Sequence, residues 1–257
     1  MRRLALLLAA SVLGTGCIVT NDTCNSRTVS VGWPSFLLAN GVETTSCSAA
    51  GVRFVDVFMD DAPVGEFDCT QGGVSVLDVP SGSHRFTVEG LDPAKTILLR
   101  DEPTVSGSGC GEQFVNSRPA EGTVTLDYTF TPTNVCTAGG SYIWFSMFDQ
   151  IANTVAAVAD ETANTTAYVC GTPISFPMPV GPFTLQRVEE VVPSAGAYVP
   201  TATNCTATSF SVNAATESVL AVALVDGNTF CPAAAAPAGT GRAKALATTA
   251  TAVTAKP

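Results

Sequence analysis

Nine cysteines, one histidine and one aspartate-rich stretch are the residues of this chain that could do chemistry. A thiol can form a disulfide, ligate a metal or carry an acyl chain. Zinc favours closely spaced cysteines and histidines. Here no Cys-x-x-Cys pair exists and His84 serves all 257 residues, which argues against a zinc site. His84 also lacks the companions of a Ser-His-Asp or Cys-His set. Asp56, Asp60, Asp61, Glu66 and Asp68 could together offer a calcium ion its several oxygens, although not at EF-hand spacing. The other reading of these acids is a solvated strand end. Paired glycosidase carboxylates have no spacing in support. Tyr142, Trp144, Ser146 and Phe148 fall on one face of a strand, and Ile143, Phe145 and Met147 on the other. Two apolar faces point to packing on both sides. The alternative is an exposed platform of Tyr142, Trp144 and Phe148 that stacks on sugars.

The elements around these residues begin with Met1–Cys17, MRRLALLLAASVLGTGC. Two arginines, an apolar run and small residues are the layout of a secretory signal. The apolar run, Leu4–Leu13, is half the roughly 20 residues that a membrane span needs. The small residues followed directly by Cys17 resemble the signal of bacterial lipoproteins. In that family the cysteine thiol takes a diacylglycerol and the chain is cut just before it. Gly14 stands where the family usually has leucine, with Leu13 one place early. The other reading is an ordinary signal cut near Thr15–Thr20. The cysteine count favours lipid: with Cys17 acylated, an even eight remain for disulfides, which persist in the oxidising compartments that exported chains reach.

Charge narrows the partners. All 22 acidic residues lie between Asp22 and Asp226. Setting aside Arg2 and Arg3 of the signal and Arg242, Lys244 and Lys256 of the tail leaves 7 basic residues, a net charge of −15 for the body. Such a surface repels phosphate backbones, which excludes nucleic acid.

The body repeats. Cys47-Ser-Ala-Ala-Gly51 matches Cys136-Thr-Ala-Gly-Gly140, and an aspartate follows each cysteine by thirteen residues, Asp60 and Asp149. A second cysteine, Cys69 or Cys170, precedes a Pro-x-Gly turn, Pro80-Ser-Gly82 or Pro179-Val-Gly181. Aligning the turns sets His84 opposite Phe183, so a packing role explains both. The elements read as strands. Val52–Met59 and Ser141–Phe148 are rich in Val, Phe, Tyr and Trp, and Ser83–Val88 and Thr123–Phe130 alternate with period two. Ile151–Ala159 is the best helix candidate, short and uncapped.

About a hundred residues per copy suits an immunoglobulin-like β-sandwich. The expected fold is all-β: two tandem immunoglobulin-like or transthyretin-like sandwich modules with disulfides. The expected division is a signal peptide at 1–16, a lipidated N-terminus and linker at 17–24, module 1 at 25–120, module 2 at 121–231 and a disordered Ala/Thr/Pro tail at 232–257. Matching positions suggest Cys47–Cys69 and Cys136–Cys170. The remainder suggest Cys24–Cys110 and Cys205–Cys231, the last because its cysteines flank an expected hairpin of Ser209–Asn213 and Ser218–Val225. Four cysteines per module allow three pairings.

The strings CSAAGVRFVDVFMDDAPVGEFDC and VSVLDVPSGSHRFTVEGLD resemble modules of secreted lipoproteins from myxobacterial-type bacteria. Module 2 departs from that pattern at Pro182-Phe183 and Glu189-Glu190. The resemblance implies a β-sandwich repeat and export, and supplies no catalytic residue. The Pro-x-Gly turn is also similar to PEGA-like and carboxypeptidase-regulatory-like accessory domains. The expected function is therefore non-catalytic, a structural or binding module of the cell envelope. It would be held to the membrane by its N-terminal lipid, at the outer membrane, cell surface or periplasmic face, with an envelope protein or polysaccharide as partner. No cofactor is expected. The alternatives are a carbohydrate- or calcium-associated adhesion module and, from another class, a hydrolase with an unrecognised carboxylate site.

Overall fold

The computed structural model describes residues 25–107, 110–132, 136–137, 140–159, 168–171, 173–195, 197–232 and 254–255. Cys17, Cys24, the signal, the linker and nearly all of the expected disordered tail lie outside them. The described chain is all-β, with a single 3-10 turn, Cys69–Gln71, and no α-helix.

Module 1 is two sheets. One is ordered β10–β1–β6, from β1 (Ser26–Gly32), β6 (Gly73–Pro80) and β10 (Glu112–Asn116), with β10 parallel to β1. Thr254–Ala255 of the tail lies antiparallel to β6. The other sheet is β5–β4–β7–β8, from β4 (Phe54–Met59), β5 (Ala62–Asp68), β7 (Gly82–Leu91) and β8 (Ile97–Asp101). The first half of β7 pairs instead with β9 (Thr104–Gly107). A two-strand ribbon, β2 (Phe36–Leu37) and β3 (Glu43–Thr44), lies outside both sheets.

Module 2 repeats the pattern. β11 (Glu121–Thr131) is parallel to β19 (Glu217–Asp226) and antiparallel to β15 (Ile174–Pro179). β12 (Tyr142–Asp149) pairs with β13 (Thr154–Ala159), β14 (Tyr168–Val169) and β16 (Gly181–Ser194). The first half of β16 pairs with β18 (Thr208–Val212) and the second half with β17 (Ala197–Asn204). β17 also touches β19, which closes one edge of the sandwich. The best helix candidate is thus strand β13, because its residues complete a hairpin with β12. The expected hairpin between Ser209–Asn213 and Ser218–Val225 does not form: β18 joins β16 and β19 joins β11.

Side chains alternate across each strand, so period-two patterns set the faces. Val29 and Val31 of β1, Val55 and Val57 of β4, and Phe86 and Val88 of β7 fill one core. Val124 and Leu126 of β11, Ile143, Phe145 and Met147 of β12, and Leu220 and Leu224 of β19 fill a second. Each copy therefore owns its core. The turns that start β7 and β16 need glycine, with φ of 135° at Gly82 and 139° at Gly181.

Disulfides join Cys47 to Cys69, Cys136 to Cys170 and Cys205 to Cys231. The last follows the contact of β17 with β19. Cys110 is also disulfide-bonded.

Arg100 locks the modules together. It lies on β8 and is fully buried. Its Nε donates to Glu89 Oε1 at 2.7 Å, another of its nitrogens donates to Asp149 of module 2, and a third reaches the Val180 carbonyl at 3.3 Å. Its backbone exchanges hydrogen bonds with Ala120, whose carbonyl also accepts from the Val180 amide. Gly181 leaves room for this contact, since a Cβ there would stand 3.0 Å from the guanidinium. Removing one member of a buried ion pair strands the other charges and costs about 3–5 kcal/mol. Arg100→Met is therefore expected to lower the unfolding free energy by that amount in urea titrations. The triple change Glu89→Leu, Arg100→Met, Asp149→Leu is expected to recover most of the loss, because no buried charge then remains.

Candidate functional site

The acids weighed for calcium are brought near one another on β4, β5 and the turn between them, but each faces a partner of its own. Asp61 takes two hydrogen bonds from Arg85, at 2.7 and 2.9 Å. Lys95 donates to Glu66 at 2.5 Å. Asp68 pairs with Arg53 at 3.0 Å and accepts from the amide and hydroxyl of Thr70. Asp60 accepts from the Arg85 amide and lies 2.6 Å from His84 Nδ1. Burial pushes the Asp60 carboxyl up. The His84 and Arg85 hydrogen bonds and charges outweigh it and hold the group below its ordinary 3.8. Among the described residues, no carboxylate trio brings its oxygens within 4.8 Å of one another. Asp60, Asp61, Glu66 and Asp68, weighed for calcium, are thus each engaged by a basic side chain.

The other ring nitrogen of His84, Nε2, faces the Pro80 carbonyl at 3.0 Å, so both nitrogens are engaged in holding the Pro80–Gly82 turn to Asp60. The three groups that do converge for a metal are Cys136, Cys170 and Glu190. The two cysteines are bonded to each other, which removes their thiolates.

The aromatic platform is covered. Trp144 is 4% exposed, stacked on Phe230 at 5.9 Å and tilted against Tyr198 at 5.1 Å. Phe148 is buried and Tyr142 half-buried against Tyr198. The reason is the segment after β19, which the Cys205–Cys231 bond and a hydrogen bond from the Cys231 amide to Glu189 draw across this face.

Beside Glu189 is a second buried acid. Glu190 accepts from the amide and hydroxyl of Thr137 and the hydroxyls of Ser141 and Thr201. Burial pushes its carboxyl up, and those donors pull it below its ordinary 4.5. This network ties the Cys136–Cys170 end of module 2 to β16 and β17.

The open concave surface lies in module 1 and was not anticipated. A hollow of about 720 Å³ is lined by Trp33, Pro34, Thr45, Ser46, Ser48, Arg53, Asp68 and Thr70 beside the Cys47–Cys69 bridge. A smaller one of about 260 Å³ is lined by Ser30, Gly32, Gln71, Gly73, Phe114 and Asn116. Both include Pro34 and Gly72, so the two hollows are neighbours and make up the grooved surface of module 1. Its polar side chains can donate and accept hydrogen bonds, and its one ion pair, Arg53 with Asp68, is self-neutralising. A third hollow, of about 580 Å³, lies at the module junction among Asp56, Glu66, Glu89, Lys95 and Asp149. Lys95 pairs with Glu66, and Arg100 with Glu89 and Asp149. The sequence signals for the groove were slight: a Pro after Trp33 and a Gly pair after Cys69.

No protein-family model matches the chain, and no curated protein matches it. Among solved structures, it is similar to GBS52, the minor pilin of Streptococcus agalactiae, at 9% identity over 82% of this chain and 100% of that one, with a TM-score of 0.37. For the fimbrial anchor protein Mfa2 from Porphyromonas gingivalis the figures are 10%, 74%, 99% and 0.33. For a leucine-rich repeat protein from Bacteroides thetaiotaomicron they are 14%, 77%, 26% and 0.27, so this chain spans about a quarter of that protein. At these TM-scores the likeness assigns neither activity nor partner.

The Glu190 network sets a pH dependence. A carboxyl whose pKa is depressed by folding stabilises the fold above its unfolded value and stops doing so as pH falls through the folded value. Glu190→Gln is expected to lower the thermal midpoint at pH 7. The gap from the parent is expected to close as pH falls below about 4.5, which is checked by melts across pH 3–7.

Proposed function

We propose that this chain is an exported, lipid-anchored protein of the cell envelope whose two modules form a rigid, non-catalytic binding or structural unit. The cysteine account carries this reading. Cys47, Cys69, Cys110, Cys136, Cys170, Cys205 and Cys231 are all oxidised, a pattern of exported chains. Cys24 is the natural partner of Cys110, which leaves Cys17 as the odd thiol at the end of a signal. Lipid on Cys17 accounts for both its position and the count.

The non-catalytic part is supported by how the candidate groups are used. His84 and Asp60 brace a turn, Glu66 and Asp68 sit in ion pairs, and Glu89 and Asp149 hold Arg100. Binding is left to the groove of module 1, on a scaffold whose module orientation is locked.

Mass spectrometry of the mature protein from its own host is expected to find a diacylglycerol-modified Cys17 at the N-terminus and four disulfides. Cys17→Ser is expected to move the protein from the membrane fraction to the soluble exported fraction. A mature N-terminus elsewhere, or a free thiol among the other eight cysteines, would overturn the reading.

A further inference from the structure

We propose that the groove of module 1 is a binding site for a neutral saccharide chain. The proposal rests on the reading above of an envelope binding protein, and names the class of ligand.

Shape comes first. The two hollows share Pro34 and Gly72 in their linings, so a polymer segment could reach from one to the other. Gly32 and Gly73 face each other across β1 and β6, which leaves the floor of the smaller hollow without side chains there.

Chemistry comes second. Ser46, Ser48, Thr70, Gln71 and Asn116 mix hydroxyls and amides, which donate and accept as sugar hydroxyls do. Phe114 is 60% exposed at the side of the smaller hollow, where a ring can stack on the C–H face of a sugar. Arg53 and Asp68 are the charged residues of the lining, and they pair with each other at 3.0 Å. An uncharged ligand fits this balance. A polyanion would also meet the net charge of −10.

The second module supplies a control within the same chain. In module 1 the Ser30 hydroxyl bonds Ser75 and Glu112, and in module 2 the Thr125 hydroxyl bonds Ser175 and Glu217. The strand registers make these the same positions. A clasp present in both copies belongs to the fold, where it pins the parallel strand. The neighbouring positions differ. Gly32 corresponds to Asp127, Phe114 to Val219 and Asn116 to Ala221. The fold is built without a glycine, ring or amide at those places in module 2. Their presence in module 1 is therefore not owed to strand pairing, and all three line the groove.

The test is calorimetric titration of the full chain, disulfides intact, with chitohexaose, cellohexaose, xylohexaose and maltohexaose, and with an alginate hexamer as the anionic probe. At least one neutral hexasaccharide is expected to bind saturably, and the alginate hexamer is not. Phe114→Ala is expected to weaken binding about five- to tenfold, the scale of one aromatic contact. Asn116→Ala is expected to weaken it about threefold. Val219→Ala, at the matching place in module 2, is expected to leave it unchanged. Thermal midpoints of the variants are read alongside, and Phe114→Ala is expected to melt with the parent because its ring is at the surface. Failure of all four neutral sugars overturns the proposal. So does binding that Phe114→Ala leaves intact, or binding of the alginate hexamer alone. Acylation of Cys17 without saccharide binding would remove this proposal and leave the envelope reading standing. Saccharide binding by a chain with an unmodified N-terminus would do the reverse.

Discussion

A guanidinium sealed from water must be fully paired or the fold around it fails. Arg100 is such a group, and its partners come from both modules. Glu89 lies beside it on β7, whereas Asp149 and the Val180 carbonyl arrive across the junction. Separating the modules would strip Asp149 of the guanidinium and leave Arg100 with Glu89 but without Asp149 and the Val180 carbonyl. Asp149 is spent twice, because its other oxygen accepts from the Ile151 and Ala152 amides and shapes the turn after β12. The junction hollow lies beside this contact, with Glu89 and Asp149 in its lining.

The two modules are not symmetrical in what they expose. Glu89 and Glu189 hold corresponding places on β7 and β16, and both are buried. Module 2 covers the first. The segment after β19, carrying Phe230 and Cys231, covers the second. The same sheet face thus needs a cover in each copy, and the chain provides two different ones. The opposite sheet carries a hydroxyl–carboxylate clasp in each module, and in module 1 it also lines the smaller hollow.

Much of the architecture was legible in the residues. The period-two runs at Ser83–Val88 and Thr123–Phe130 lie within β7 and β11, and the Pro-x-Gly landmarks head β7 and β16. Local alternation decides which side of a strand is apolar, so these features need no long-range information. Matching landmarks around the cysteines pointed to the pairs Cys47–Cys69 and Cys136–Cys170, and both bonds form.

What the sequence by itself determined was therefore the strand class and the oxidised character of the chain. Tertiary structure alone decided the fate of the chemical groups. Trp144 looked available until Phe230 and Tyr198 closed over it. Asp60, Asp61, Glu66 and Asp68 looked like one cluster until Arg53, His84, Arg85 and Lys95 paired with them separately. Arg100 gave no sign of burial, and Phe114 none of exposure. Exposure and ion pairing depend on which strands lie side by side, and strands far apart in the chain meet only when both sheets close.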